Sequence, residues 1–109
     1  MGITKTDLFN ERQNELARMA KAFAHPARIA ILEYLLTANQ CINGDLVNEL
    51  GLAQPTISQH LKELKNLGII QGSVEGTSMC YCIHEENWQL IKGQFDELFN
   101  RYNAIKNCC

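Results

Sequence analysis

Residues 44–68 read GDLVNELGLAQPTISQHLKELKNLG and contain two short helical patterns separated by a glycine. The first pattern predicts a helix that stops at Gly51, because glycine readily adopts the left-handed conformation that ends helices. The second predicts a helix that starts near Gln54 and Pro55 and stops at Gly68, since its large apolar residues recur at helical spacing. These apolar residues are Ile57, Leu61, Leu64 and Leu67. Two short helices joined by a tight turn are typical of a helix-turn-helix.

The flanking segments extend this pair of helices into a complete domain. Upstream, residues 4–20 show a loose helical pattern, and residues 26–38 predict a second helix because they begin with a proline, which suits a first helical turn. Downstream, residues 69–74 and 79–83 are β-prone runs around a glycine-containing turn, which predicts a hairpin. A wide apolar stripe over residues 88–105 predicts a C-terminal helix that packs on the core and on a partner subunit.

Within the helix predicted over residues 26–38, one set of apolar residues recurs at helical spacing and is expected to face the core. It consists of Ile29, Leu32, Leu35 and Leu36. We therefore predict a mainly α fold with a small β-hairpin: a winged helix-turn-helix of about five helices and a two-stranded wing. Residues 1–109 would form this single domain, with N- and C-terminal helices used for dimerisation.

Composition narrows the class of protein further. Of the 109 residues, 46% are hydrophobic and 20% are charged, which is ordinary for a globular chain. The chain has no apolar run near the ~18 residues that a membrane span requires, and its polar N-terminus lacks an apolar signal core. We therefore expect a cytoplasmic protein without a membrane partner. The net charge of −2, with a local balance of +2 in residues 1–28, restricts any DNA contact to specific faces.

The polar face of the helix beginning at Gln54 is rich in uncharged hydrogen-bonding groups, where an ordinary solvated face would show Glu and Lys. A helix with such a face fits the major groove, where Gln can pair bidentately with adenine and Ser or Thr can reach phosphates or base edges. The candidate DNA contacts are Gln54, Thr56, Ser58, Gln59 and Lys62, with Lys65 further along, together with Arg28 and the wing-tip residue Thr77. Arg28 would either reach a DNA phosphate or brace the core. His25 and His60 are interpreted as structural, with His60 bonding a backbone partner or, alternatively, a phosphate.

Four stretches of this sequence resemble the ArsR/SmtB family of repressors, and the similarity covers nearly the whole chain. They are AHPARIAIL at 24–32, GDL at 44–46, LAQPTISQHLKEL at 52–64 and GII at 68–70. The resemblance implies a dimer paired through the first and last helices, and a recognition helix over about residues 54–66. It also implies release of double-stranded DNA, at an imperfect palindromic operator, when an effector binds. In this family the effector is often a metal or metalloid.

The sequence departs from the family at two structural positions. Ala53 stands where the family often has a capping Ser, so the recognition helix is expected to be less well capped. The wing tip lacks the arginine often found there. Two effector sites also differ: only Cys41 matches the family's Cys-x-Cys metalloid site, and the C-terminal helix lacks the histidines of the family's zinc site, since His84 lies at its start.

The remaining cysteines predict a thiol-based effector site. Five cysteines without an export signal are expected to be thiols rather than a disulfide scaffold. Thiolates select soft ions, so trivalent arsenic or antimony, or another soft metal, is the candidate effector, and no cofactor is required. The candidate ligands are Cys80, Cys82, Cys108 and Cys109, with Cys41 a weaker one. One alternative is oxidation of the same thiols to disulfides by peroxide or persulfide. In a second alternative, Cys80 and Cys82 are only packing residues, and the last two residues form an unordered tail.

Two other classes of function use different features. An enzyme would use a cysteine as nucleophile, but no cysteine lies in an evident helix N-terminal or Cys-x-x-Cys context, so we predict a protein that is not an enzyme. A winged-helix protein-interaction module would share the fold without binding an operator. The sequence favours a homodimeric DNA-binding repressor over both.

Overall fold

The structure, a computed structural model, describes residues 8–38, 46–75 and 78–102. Its elements in chain order are α1 (Glu11–Ala20), a 3-10 turn (Lys21–Phe23), α2 (Pro26–Ala38), α3 (Leu46–Leu50), α4 (Gln54–Asn66), β1 (Ile70–Glu75), β2 (Ser78–Ile83) and α5 (Glu85–Asn100). This order confirms the predicted mainly α fold with a two-stranded wing. In the described part of the chain, no helix is long and apolar enough to cross a membrane.

Local signals in the sequence set the ends of the helices. A capping box starts α1, because the Asn10 side chain accepts from the backbone N–H of Gln13 while the Gln13 side chain accepts from that of Asn10. The predicted pattern over residues 4–20 therefore becomes a helix only from Glu11 in the described residues. At the start of α4, Ala53 makes no side-chain cap, as its substitution for a capping residue predicted.

Glycines in the left-handed conformation end α3 and α4, as predicted. Gly51 has φ of +70° and Gly68 has φ of +80°. After α4, the N–H of Gly68 donates to the carbonyl of Lys65 at 2.9 Å, and the N–H of Ile69 donates to that of Leu64 at 3.0 Å. These bonds satisfy carbonyls that the end of the helix would otherwise leave without partners. These bonds also fix the short connection between the end of α4 and the start of β1.

The core lies where α2, α4 and the start of β1 meet. Its largest fully buried side chains are Ile31, Ile57, Leu64, Ile69 and Ile70. On α4 the predicted apolar stripe is confirmed, with its first three members buried and Leu67 partly buried. One α2 prediction is wrong: Ile29 and Leu36 are exposed, and Ile31 is buried beside Leu32 and Leu35. Ile29 and Leu36 lie seven residues apart and so share a second stripe, turned away from the core.

The wing and α5 attach to this core through a few specific contacts. β1 and β2 pair antiparallel, with Gln71 opposite Cys82 and Ser73 opposite Cys80. The His84 side chain caps α5 by accepting from the N–H of Asn87 at 3.2 Å. Phe23, from the 3-10 turn, packs edge-on against both Trp88 and Phe95, with ring centroids 6.2 Å apart in each case. α5 is thereby fixed against the junction between α1 and α2.

Candidate nucleic-acid interface

The predicted DNA contacts on α4 all lie on its exposed side. Gln54, Thr56, Ser58, Gln59 and Lys62 are exposed, while the opposite side of the same helix supplies Ile57, Leu61 and Leu64 to the core. At 3.6 residues per turn, Gln59 lies opposite the centre of the buried stripe, with Ser58 and Lys62 on one flank and Thr56 on the other. The helix thus presents polar side chains along a face of the kind that fits a major groove.

The first turn of this face contains a local hydrogen bond. The Gln54 amide nitrogen donates to the Ser58 hydroxyl oxygen at 2.9 Å, one helical turn further along. Because the oxygen accepts this bond, the hydroxyl proton of Ser58 stays available to donate to a phosphate or a base edge. This pair therefore offers both hydrogen-bond donors and acceptors near the start of the helix.

Arg28 joins three elements through its guanidinium group. It donates to the carbonyl of Lys21 at 2.8 Å and to Nδ1 of His60 at 3.2 Å, and it forms an ion pair with the Glu63 carboxylate. Only 13% of its side chain is exposed. Of the two roles predicted for Arg28, the bracing contacts are present here, and contact with a DNA phosphate stays a prediction. Sequence periodicity gave no signal for the pairing, because 35 residues separate Arg28 and Glu63.

The two predicted structural histidines meet beside Arg28. His25 accepts from the N–H of Ala27 at 3.0 Å and so caps the start of α2, while its ring lies 4.7 Å from that of His60. Burial, followed by the nearby charges of His25 and Arg28, lowers the pKa of His60 below its usual 6.5. The hydrogen-bond partner of His60 is thus an arginine side chain rather than the backbone group that was predicted.

The candidate thiols are only partly described. Cys80 and Cys82 are half-buried, form no disulfide within the described residues, and lie two residues apart on β2, so their side chains point to the same face. The amide nitrogen of Gln71 on the neighbouring strand lies 3.7 Å from the sulfur of Cys82. Cys41, Cys108, Cys109 and the wing-tip Thr77 lie outside the described residues. Among the described residues, no group of three or more His, Cys, Asp or Glu side chains could hold a metal ion.

Comparison with known proteins identifies the family. The sequence pattern of bacterial regulatory proteins of the arsR family matches residues 25–71, which include α2, α3 and α4. The chain is also 36% identical over 88 residues to an uncharacterized HTH-type transcriptional regulator of Methanocaldococcus jannaschii, and the match covers 81% of this chain and 99% of that relative. The chain belongs to the ArsR family. This membership confirms the predicted resemblance and places the protein among transcriptional regulators rather than enzymes.

Two other regulators are similar to this chain along most of their length. The HTH-type transcriptional regulator CmtR of Mycobacterium tuberculosis is 34% identical over 97 residues, which are 89% of this chain and 81% of CmtR. A solution structure of a homodimeric winged helix-turn-helix DNA-binding domain from Mycobacterium bovis, a possible ArsR-family regulator, superposes with a TM-score of 0.61 at 26% identity. That superposition covers 87% of this chain and 94% of the other. The winged helix-turn-helix predicted from the sequence is therefore the fold of this ArsR-family chain.

Proposed function

We propose that this ArsR-family regulator is a cytoplasmic, homodimeric repressor that binds double-stranded DNA through α4 and leaves its operator when an effector binds. The observation that carries the proposal is the exposed row of hydrogen-bonding side chains on α4, opposite a stripe that anchors the helix in the core. Gln59 at its centre can pair with adenine, and Lys62 beside it can neutralise a phosphate.

The apolar surface of the terminal helices supports the homodimer. Large hydrophobic side chains are exposed before α1, along α5 and just after its end, and a monomer would leave them in water. They are Leu8, Phe9, Leu90, Leu98, Phe99 and Tyr102. The ion pair between Arg12 and Glu97, at 2.8 Å, holds α1 beside α5, and we take these two helices together as the unit that pairs. A two-fold dimer through this unit would present two copies of α4 to an imperfect palindrome with half-sites roughly 34 Å apart.

Gel-shift titrations with operator and unrelated duplexes test DNA readout. Gln59→Ala and Ser58→Ala should weaken operator binding, and Gln59→Ala should also relax sequence preference, since a bidentate base contact contributes about 1–3 kcal/mol of discrimination. Lys62→Ala should weaken binding to every duplex and reduce the salt dependence of binding, because a phosphate contact releases counterions.

Equal binding of operator and unrelated duplexes by the wild type would contradict the proposal and favour a protein-interaction module. Unchanged specific binding by correctly folded Gln59→Ala and Ser58→Ala variants would place the recognition surface elsewhere.

We further propose a thiophilic effector, trivalent arsenic or antimony, bound through Cys80 and Cys82 with Cys108 and Cys109, and Cys41 as a weaker candidate. The support is the position of Cys80 and Cys82 on one face of β2, about 6.6 Å apart along the strand, from where two thiolates can converge on one soft centre. Binding there would release DNA only if the bound geometry differs from the DNA-competent one. Oxidation of the same thiols to disulfides is the rival proposal.

Reductant separates these two kinds of effector. Arsenite should release operator DNA with reductant present, whereas peroxide or persulfide should act only without it. A variant with Ser at positions 80, 82, 108 and 109 should lose the arsenite response, and Cys41→Ser alone should retain most of it. An unchanged response in the quadruple variant would place the site elsewhere. A wild type that responds to neither agent would contradict a thiol-based effector.

A further inference from the structure

We propose that Glu63 is a positioning residue for base readout: anchored by Arg28, its carboxylate holds the side-chain amide of Gln59 in the single orientation that reads adenine. The inference rests on the proposed function, since it assumes that α4 enters the major groove. It assigns a role to a side chain that no sequence pattern marked. It also gives Arg28 a function in recognition without a contact to DNA.

The negative charge of Glu63 is unfavourable on a DNA-facing helix unless a positive charge neutralises it. Glu63 lies next to Gln59 on the exposed side of α4, and 42% of its side chain is exposed. A free carboxylate here would repel DNA phosphates. The ion pair with Arg28 offsets that repulsion. Arg28 is itself fixed, because its other donors bond the Lys21 carbonyl and the His60 ring. The Glu63 carboxylate is therefore held in place by Arg28, a residue of α2.

The chemistry of the carboxylate decides how the Gln59 amide is turned. The Gln59 amide nitrogen donates to Oε1 of Glu63 at 3.0 Å. An ionised carboxylate only accepts hydrogen bonds, so the NH2 group of Gln59, and not its carbonyl, must face Glu63. Among the described residues, the carbonyl oxygen and the second N–H of this amide have no other side-chain partner, so both are available to a base. Neither needs to break the bond to Glu63 in order to contact a base.

One acceptor beside one donor is the pattern complementary to adenine, which presents the N6 amino group and the N7 acceptor in the major groove. Guanine presents two acceptors, O6 and N7, and so leaves the Gln59 carbonyl facing an acceptor. With the amide free to turn, this mismatch would be easier to relieve. A held amide therefore increases discrimination between adenine and guanine at the position that Gln59 reads.

The test uses the full-length protein and an operator selected by the wild type from random duplexes. The position read by Gln59 is the one at which Gln59→Ala abolishes preference. Kd is measured for duplexes with adenine or guanine at that position in both half-sites. Glu63→Gln keeps the size of the side chain but can donate as well as accept, so it no longer fixes the amide. Glu33→Gln, on the exposed surface of α2, makes the same change of charge and is the control.

Glu63→Gln should lower the ratio of Kd for guanine over adenine by about 5-fold per half-site, the equivalent of one net hydrogen bond, and Glu33→Gln should leave it unchanged. In a Gln59→Ala background, Glu63→Gln should have no further effect on the ratio. Equal ratios for Glu63→Gln and Glu33→Gln would overturn the proposal. So would a Glu63→Gln effect that persists without Gln59, or a Gln59→Ala variant with unaltered preference at every position.

Arg28 provides an independent readout. If Arg28 positions Glu63, Arg28→Ala should reduce the ratio of Kd for guanine over adenine. Arg28→Lys should recover part of the ratio because it retains a charge for Glu63. If Arg28 instead binds a phosphate, Arg28→Ala should reduce the steepness of the slope of log K against log salt by about 0.9 per phosphate and leave the ratio unchanged, which would overturn the proposal. A wild type that selects no operator would refute the proposed function itself, and that result is distinct from all of these.

Discussion

Gly68→Ala tests whether the junction between α4 and α5 is held as the structure describes. Gly68 has φ of +80°, and a Cβ atom at this position would lie 3.0 Å from the side-chain nitrogen of Asn87. That nitrogen donates to the Gly68 carbonyl at 2.9 Å and so ties the end of α4 to the first turn of α5. Alanine would strain the backbone and would also force the Asn87 side chain to shift by a few tenths of an ångström, which weakens its bond to Gly68.

Gly51→Ala separates these two contributions. Gly51 has a similar φ of +70°, but a Cβ atom there would meet nothing within 4 Å. Alanine in the left-handed conformation costs roughly 1–2 kcal/mol, offset by about 0.4–1 kcal/mol from a less flexible unfolded chain. We therefore expect Gly51→Ala to lower the free energy of unfolding by about 1 kcal/mol. Gly68→Ala should lower it by more, up to about 2 kcal/mol, because a weakened Asn87 bond adds up to about 1 kcal/mol to the cost.

The assay is urea denaturation followed by circular dichroism. All variants are compared at one protein concentration, because association with a partner subunit adds to apparent stability. Equal m-values are required before midpoints are converted to free energies. In an Asn87→Ala background, Gly68→Ala should cost only as much as Gly51→Ala. Equal costs for the two glycine substitutions in the wild type, or an excess cost at Gly68 that survives without Asn87, would contradict this role of Asn87.

Three further predictions concern the ring of His60, the core and the dimer surface. Burial and nearby positive charge lower the pKa of His60, so just below pH 6.5 the unfolded chain binds more protons than the folded chain. The stabilisation that is present above pH 6.5 is therefore lost as the pH falls through the folded-state pKa. Tm should fall more steeply on acidification in the wild type than in His60→Gln. Leu64→Ala should lower the free energy of unfolding by about 2–5 kcal/mol and Leu36→Ala by less than about 1 kcal/mol, as measured by urea denaturation, because only Leu64 is fully buried; equal losses would contradict this placement of α2. Phe99→Asp, at a side chain 67% exposed in the monomer, should give a monomeric mass by light scattering without loss of helix signal, and an unchanged dimer would move the interface elsewhere.

Local signals in the sequence were sufficient for the helices that carry the candidate site. The limits of α4 follow from the position of Pro55 and from Gly68, and the left-handed glycines end α3 and α4 where predicted. The apolar stripe then determines which side of α4 is exposed, because a 3.6-residue repeat leaves only one side without large apolar residues. Candidate contacts such as Gln59 could therefore be placed before any tertiary structure was known.

Tertiary contacts account for what the sequence did not predict. In α2 almost every position is apolar on one side or another, so periodicity alone could not distinguish the buried Ile31 from the exposed Ile29. The contacts of Arg28 with His60 and Glu63 cross more than 30 residues of chain, and no short motif encodes them. Pairing at such a distance depends on how the helices pack, which emerges only in the folded chain.

Selection of DNA from a random pool of duplexes, carried out in parallel with the wild type and Gln59→Ala, shows whether α4 reads the operator. The wild type should enrich an imperfect palindrome with half-site centres roughly 34 Å apart. Gln59→Ala should enrich the same palindrome with preference lost at one base pair in each half-site. Failure of the wild type to enrich a palindrome, or identical sequences from both proteins, would contradict the assignment of α4 as the recognition helix.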